Sequence, residues 1–193
     1  MISGRLAILS FAAIQSSAIT LTNLIFDLAA SPLCQTYLSS MREEVRAELA
    51  AEHGAWTKAS LARMISLDST LRESMRLWGF VSRGVLKLVV KKEGVRLPGG
   101  LHLPLGTKVG WHAHPIHHDE DVYAGAYKFD PLRWCNNNED EDKDKDNDNG
   151  DGGGGGSLRL GEKRKGKGTS LVTTSSTFMA FSHGRHAWYA LFP

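Results

Sequence analysis

This sequence has few cysteines and a small net charge. The chain has two cysteines, Cys34 and Cys135, among 193 residues. Two isolated thiols form neither a disulfide framework nor a metal-binding cluster, so they favour a reducing compartment. The formal net charge of +2 is close to neutral, and it gives no reason to expect nucleic acid or another polyanion as a partner of the whole chain.

Charge is also missing from Leu6–Phe26, a run long enough to consider as a membrane span or, with Arg5 before it, as a signal peptide. Several polar residues in its middle stand against both: Gln15, Ser16, Ser17, Thr20, Thr22 and Asn23. Apolar residues recur at helical spacing, namely Phe11, Ile14, Ala18, Leu21, Ile25 and Leu28. The pattern predicts one long helix buried in a soluble protein, ending near Pro32. Membrane association through residues 6–26 is the alternative.

Two further helices are predicted from amphipathic spacing. One runs from Gln35 to Glu52. The next begins at a Thr57 or Ser60 cap and extends to about Trp78. Within it, Glu73 and Arg76 are three residues apart and therefore share a helix face. Their spacing alone favours a solvated surface pair.

The periodicity changes after Val81, where short apolar runs alternate with turn residues. Four short strands are predicted, at Val85–Val90, Val95–Leu97, Leu101–Leu103 and Thr107–Trp111. They form one small antiparallel sheet, so the predicted fold class is mainly α with a small antiparallel β-sheet (α+β).

Histidines cluster directly after the predicted sheet, at His112, His114, His117 and His118, with Asp119 following. These residue types include zinc ligands, and a metal-binding module built on them is one alternative function. No cysteine accompanies them, so a solvated loop is the favoured interpretation.

Residues 136–168 have low complexity: an acidic block, a glycine run and a basic block. Few apolar groups are available there to offset the entropy of ordering, so the segment is expected to be a disordered insert. It divides the chain into 1–135, 136–168 and 169–193. The insert's charge makes a non-catalytic interaction segment the alternative function. No aromatic residues interleave its basic residues, so nucleic acid is not expected as a partner.

Four motifs occur in order along the chain. They are Ala12-Ala13-Ile14-Gln15-Ser16-Ser17, Glu73-Ser74-Met75-Arg76, Phe129-Asp130-Pro131-Leu132-Arg133-Trp134 and Phe181-Ser182-His183-Gly184-Arg185-His186-Ala187-Trp188. In this order and spacing they resemble the C-terminal part of a cytochrome P-450, a haem-thiolate monooxygenase, most closely those of filamentous fungi. The resemblance implies a partial fold of that family, without its N-terminal half and without the helix that follows the cysteine loop.

The resemblance assigns roles to the first three motifs. Ser16 stands at the position of the distal-helix threonine and implies a proton relay to iron-bound oxygen, with Gln15 replacing the usual acid. Glu73, Arg76 and Arg133 match the family's structural triad, which implies a buried network rather than a surface pair.

The resemblance also implies a haem site. Arg83 and His186 stand at the propionate-contacting positions, and Phe181 and Gly184 fit the haem-loop pattern F-x-x-G-x-[R/H]-x-C-x-G. Trp188 stands where that pattern has its cysteine. An indole N–H is a donor only and does not ligate iron, whereas the family's chemistry depends on a thiolate.

By resemblance, the parent enzyme inserts one oxygen atom into an apolar small-molecule substrate. It uses haem, dioxygen and electrons from an NADPH-dependent cytochrome reductase, at the endoplasmic reticulum membrane. This chain is expected to be a truncated, inactive relative that is cytoplasmic or membrane-adsorbed, because Trp188 replaces the axial cysteine.

Two origins for the tail stay open. Trp188-Tyr189-Ala190 is what results when a cysteine codon is split after TG by an intron that begins GTATGY and is then read through. On this hypothesis, Trp188 is the first residue of a translated intron. The alternative is a lesion in a degenerate gene.

Overall fold

Helices dominate the computed structural model, which describes residues 2–79, 87–110, 112–135 and 170–182. Short antiparallel strands supply the remainder of its regular structure. The predicted fold class, mainly α with a small β component, is therefore confirmed. The chain divides into two compact units, residues 1–74 with 129–173, and residues 75–128 with 174–193.

The N-terminal segment is helical throughout but has three parts. Helix α1 spans Ile2–Ser10, a π-helical turn spans Phe11–Gln15, and α2 spans Ser16–Ala30. The helix is predicted correctly, but its burial is not, because Ile14 is 68% and Ile25 63% exposed. Within the described ranges, no helix is long and apolar enough to cross a membrane.

The first unit has its apolar core where α2 meets α3. Helix α3 spans Cys34–Ala51, close to the predicted bounds. Leu24 and Leu28 of α2 are buried against Met41 of α3. Several partly buried side chains pack around them: Cys34, Tyr37, Leu38, Leu67, Leu71 and Phe129. The fully buried part of α2 is therefore limited to Leu24 and Leu28, which lie one helical turn apart.

The predicted helix from Thr57 to Trp78 is two helices. Helix α4 spans Lys58–Arg63 and begins at a capping box in which Thr57 and Ser60 bond each other's backbone N–H. The buried Met64 interrupts it with a non-helical ψ of 69°, and α5 then spans Ile65–Trp78. The carboxylate of Glu44 caps α5, because it accepts from the backbone N–H groups of Ser66 at 2.9 Å and Leu67 at 3.1 Å.

The strands form two separate ribbons, so the prediction of one sheet is wrong. Strand β1 (Lys87–Leu88) pairs antiparallel with β4 (Lys108–Val109), and β2 (Val95–Arg96) pairs antiparallel with β3 (His102–Leu103). The turn before β2 requires a glycine: Gly94 has a φ of 75°, and a Cβ there would collide with the carbonyl oxygen of Leu103.

The histidine-rich segment is not the predicted solvated loop. Helix α6 spans Ala113–His117, and His117 is fully buried while His118 is 8% exposed. A 3₁₀ turn at Arg133–Cys135 ends the part of the chain described before residue 170. The predicted insert, 136–168, lies outside the described residues.

Candidate functional site

Helix α5 buries an unusually polar set of side chains. Ser69, Thr70, Arg72, Glu73 and Arg76 are each no more than 2% exposed. Charged residues are seldom fully buried unless they are paired, because an isolated charge loses its hydration free energy and gains no interaction in return. The partners of these side chains therefore define the site.

Glu73 is the centre of the site in the first unit. Both of its carboxylate oxygens lie 3.1 Å from Nε of Arg133. Oε2 also accepts from Nε1 of Trp134 at 3.1 Å, and Oε1 accepts from the backbone N–H of Asp130 at 3.3 Å. The Glu73 side chain is 0% exposed and that of Arg133 is 15% exposed. The structure thus brings together two members of the triad, and the solvated surface pair that spacing alone favours is wrong for Glu73.

Arg76 lies one turn further along α5 and donates to backbone carbonyls of the second unit. Its Nη1 donates to the carbonyl oxygens of His117 and Ala126, the latter at 2.7 Å. Its Nη2 lies 3.4 Å from the carbonyl oxygen of Lys128. The guanidinium also lies 5.0 Å from the ring centroid of Tyr123. Arg76 therefore holds the segment after α6 onto α5 by charge-assisted hydrogen bonds.

His117 is a buried connector that the sequence reasoning missed. Its Nδ1 lies 3.0 Å from the carbonyl oxygen of Arg76, and its Nε2 lies 3.0 Å from the backbone N–H of Met179. The carbonyl accepts and the amide donates, so the imidazole is neutral with its proton on Nδ1. Burial lowers the pKa of His117 to about 4, and the nearby charge of Arg76 adds to the effect. Nothing in the sequence distinguishes it from His118, since its partner Met179 is remote along the chain.

Only the start of the predicted haem loop is described. Phe178 is fully buried, Phe181 is half-buried and Ser182 is 4% exposed. Ser182 has a left-handed φ of 68°, and its buried hydroxyl has no hydrogen-bond partner among the residues that the structure describes. A non-glycine residue in this conformation is strained, and strain of this kind gathers at functional sites. The other predicted haem residues, Arg83, Gly184 and His186, and the axial position Trp188 lie outside the described residues.

The predicted oxygen groove coincides with the π-helical turn. Gln15 is the last residue of that turn and is exposed, and Ser16 begins α2 and is half-buried. The hydroxyl of Ser17 donates to the carbonyl oxygen of Ala13 at 2.8 Å. A π turn widens a helix locally and often marks a functional position.

The histidines do not assemble a metal centre. Within the described ranges, no three His, Cys, Asp or Glu side chains are placed to hold a metal ion. Instead, the rings of His114 and His118 stack with centroids 4.0 Å apart. The two cysteines are also apart from any such group, with Cys34 half-buried on α3 and Cys135 buried beside Trp134.

Comparisons with known proteins agree on one family. A family model of cytochrome P450 matches residues 2–187. Cytochrome P450 monooxygenase gloP of Glarea lozoyensis is 33% identical over 196 residues, covering 97% of this chain and 33% of the relative. Cytochrome P450 monooxygenase 151 of Postia placenta is 33% identical over 187 residues, covering 97% and 32%. Cytochrome P450 monooxygenase pbrC of Penicillium brasilianum is 29% identical over 186 residues, covering 96% and 31%. The chain spans about a third of the length of these relatives.

Removing the charge of Glu73 should destabilise the protein strongly. The Glu73→Gln substitution leaves Arg133 mostly buried without its carboxylate, so we expect a loss of about 3–5 kcal/mol in the free energy of unfolding. Urea titration followed by circular dichroism measures it. The matched control is Glu52→Gln, whose partner Arg63 is exposed, so its loss should be much smaller. Equal losses in the two variants would contradict a buried, paired Glu73.

Stability should depend on pH through His117. Its pKa is about 4 when folded and about 6.5 when unfolded. Between these values the unfolded state binds a proton that the folded state does not, so the free energy of unfolding falls as the pH falls. The loss approaches about 3 kcal/mol near pH 4 and then levels off.

Urea titrations at pH 7, 6, 5 and 4 on the native protein and on His117→Gln measure this dependence. Asp68, whose pKa is raised by burial, titrates in both proteins and cancels in their difference. The free energy of the native protein should fall more steeply between pH 6.5 and 4. Parallel curves would refute the prediction.

Relieving the strain at Ser182 should stabilise the protein. Glycine adopts a positive φ without steric cost, and Ser182→Gly also removes a hydroxyl that is buried without a partner in the described part of the chain. We expect a gain of about 1 kcal/mol, seen as a higher midpoint in urea titration. Ser182→Ala, which removes the hydroxyl but keeps the strain, should gain less. A midpoint for Ser182→Gly below that of Ser182→Ala would show that φ is not the source of the strain.

Proposed function

We propose that this chain, which belongs to the cytochrome P450 family, retains the hydrogen-bond network that supports a P450 haem loop but forms no thiolate-ligated haem centre. The observation that carries the first half is the burial of Glu73, whose carboxylate accepts from Arg133, Trp134 and Asp130. These hydrogen bonds compensate the carboxylate for its lost hydration, so it can stay charged while buried.

The second half rests on the chain's sulfur chemistry. A P450 needs a cysteine thiolate on its iron, and this ligand supplies the electron density that drives O–O cleavage. The two thiols of this chain are Cys34, on α3, and Cys135, buried in the 3₁₀ turn. Neither belongs to the Phe181–Trp188 motif, and Trp188 occupies the motif's cysteine position. The donors present therefore do not fit a thiolate-ligated haem.

The activity of the parent family is proposed for this chain by descent only. The relatives are named as monooxygenases. By resemblance, the parent reaction uses haem, dioxygen, a reductase and an apolar substrate. By resemblance, Arg83 and His186 are the propionate contacts, with Phe181 and Gly184 shaping the loop. Gln15 and Ser16 are the distal polar pair, and the π turn beside them is consistent with such a role. With Trp188 in place, we propose that these positions are remnants rather than a working site.

A carbon monoxide difference spectrum tests the proposal. The purified protein is incubated with haem, reduced and exposed to carbon monoxide. We expect no thiolate-type Soret band, because no cysteine stands at the axial position. Such a band from the native chain would overturn the proposal.

A restored variant serves as the matched comparison. The Trp188→Cys, Ala190→Gly double substitution completes the haem-loop pattern. A thiolate-type band in this variant alone would assign the defect to the axial position. Absence of the band from both proteins would assign it to the haem pocket as a whole.

A further inference from the structure

We infer that Arg72 clamps the chain on both sides of residues 136–169, with Ser69 holding the flank before the segment and Asp68 the flank after it. The first unit then keeps its structure whatever the length or composition of that segment. The inference does not depend on haem binding or on the proposed function. It rests on contacts between α5 and the two flanks of the segment.

The flank before the segment is bound at the middle of α5. The backbone N–H of Trp134 donates to the hydroxyl of Ser69 at 3.1 Å. Trp134 and Cys135 are 4% and 1% exposed. The chain is therefore fixed up to its last described residue on this side.

The flank after the segment returns to the same part of α5. The backbone N–H of Leu171 donates to Oδ2 of Asp68 at 2.6 Å, and Asp68 directly precedes Ser69 in sequence. Nη1 of Arg72 donates to the carbonyl oxygens of Ser170 at 2.6 Å and Thr173 at 2.7 Å. Asp68 and Arg72 are four residues apart, which is about 6 Å along the helix axis. The two flanks are thus attached to neighbouring turns of α5.

Arg72 is the side chain that contacts both flanks. Its guanidinium lies 4.3 Å from the ring centroid of Trp134 while it donates to the carbonyls of Ser170 and Thr173. Arg72 is 2% exposed, so its charge depends on these contacts. Cation–π contact and charge-assisted hydrogen bonds are both strengthened when water is excluded.

The geometry predicts that the intervening segment is dispensable for the first unit. Each flank is held by α5, and the entropy of closing a loop changes only slowly with its length. Positions where both flanks are fixed close together also tolerate insertions well. The opposing possibility is that residues 136–169 contribute contacts of their own on which residues 170–173 depend.

Hydrogen exchange in the full chain separates the two possibilities. In one variant, residues 136–169 are replaced by a Gly-Ser linker of about eight residues, which reaches up to about 26 Å and so easily joins the flanks. We expect the amides of Leu171 and Thr173 to keep their protection within about twofold. A tenfold or greater loss would overturn the inference, because residues 170–173 would then depend on the segment.

A second variant tests the clamp itself. Arg72→Gln should lower the protection of Leu171 and Thr173 by about tenfold or more. Arg63→Gln is the matched control, because Arg63 is exposed and bonds Glu48 and Glu52 instead. Unchanged protection in Arg72→Gln would refute the clamp.

The amides of α3 serve as the internal reference. Protection lost at Leu171 and Thr173 while Met41 and Val45 keep theirs supports a local clamp. If Arg72→Gln unfolds the whole unit, Asp68→Ala is measured in its place, because it removes the carboxylate oxygen that accepts from the backbone N–H of Leu171. Unchanged protection of Leu171 in Asp68→Ala would likewise count against the clamp.

Discussion

The burial of the Glu73 carboxylate is the constraint on which the first unit depends. An ionised carboxylate cannot leave water unless charge and hydrogen bonds replace it. Arg133, the indole of Trp134 and the backbone of Asp130 supply that replacement. All three belong to one short stretch, so satisfying Glu73 fixes the path of residues 130–134 along α5. Thr70 adds to the attachment through a 3.3 Å hydrogen bond to the carbonyl of Pro131.

The rest of the buried surface of α5 repeats this arrangement with different segments. Ser74 donates to Asp27 of α2 at 2.6 Å, and Arg72 donates to the carbonyls of Ser170 and Thr173. Glu44 of α3 caps its first turn. Helix α5 therefore gathers three remote parts of the chain through specific polar contacts, whereas the apolar core of the same unit lies between α2 and α3. Polar contacts of this kind have one correct geometry, so they specify the path of each segment more tightly than apolar packing does.

Local signals in the sequence are enough for part of this fold. Periodicity gives α3 nearly to its ends, and the Thr57–Ser60 capping box gives the start of α4. The break at Met64 has no glycine or proline to announce it. The pairing of four short strands into two ribbons is set by contacts far apart in sequence, so the strands are predictable but their partners are not.

The site shows the same limit. Spacing alone places Glu73 and Arg76 on one helix face and cannot tell a surface pair from a buried network. The partner that decides the matter, Arg133, is remote in sequence, and only the motif order of a known family points to it. For His117, no family motif indicated a buried role. A histidine in a polar stretch reads as solvated until Met179 and the carbonyl of Arg76 are seen to occupy both of its nitrogens.

On the proposed roles, iron ligation and the support of the haem loop belong to different residues of this chain. Arg133, Trp134 and Asp130, which bind Glu73, all lie in residues 130–134. On the proposal that Trp188 stands at the axial position, its substitution for cysteine removes an iron ligand and leaves these contacts of Glu73 in place. The energetic penalty for losing the thiolate falls on cofactor binding, whereas the penalty for losing Glu73 or Arg133 falls on folding. Under the proposed loss of the thiolate, the chain is for this reason still expected to require Glu73 and Arg133 for folding.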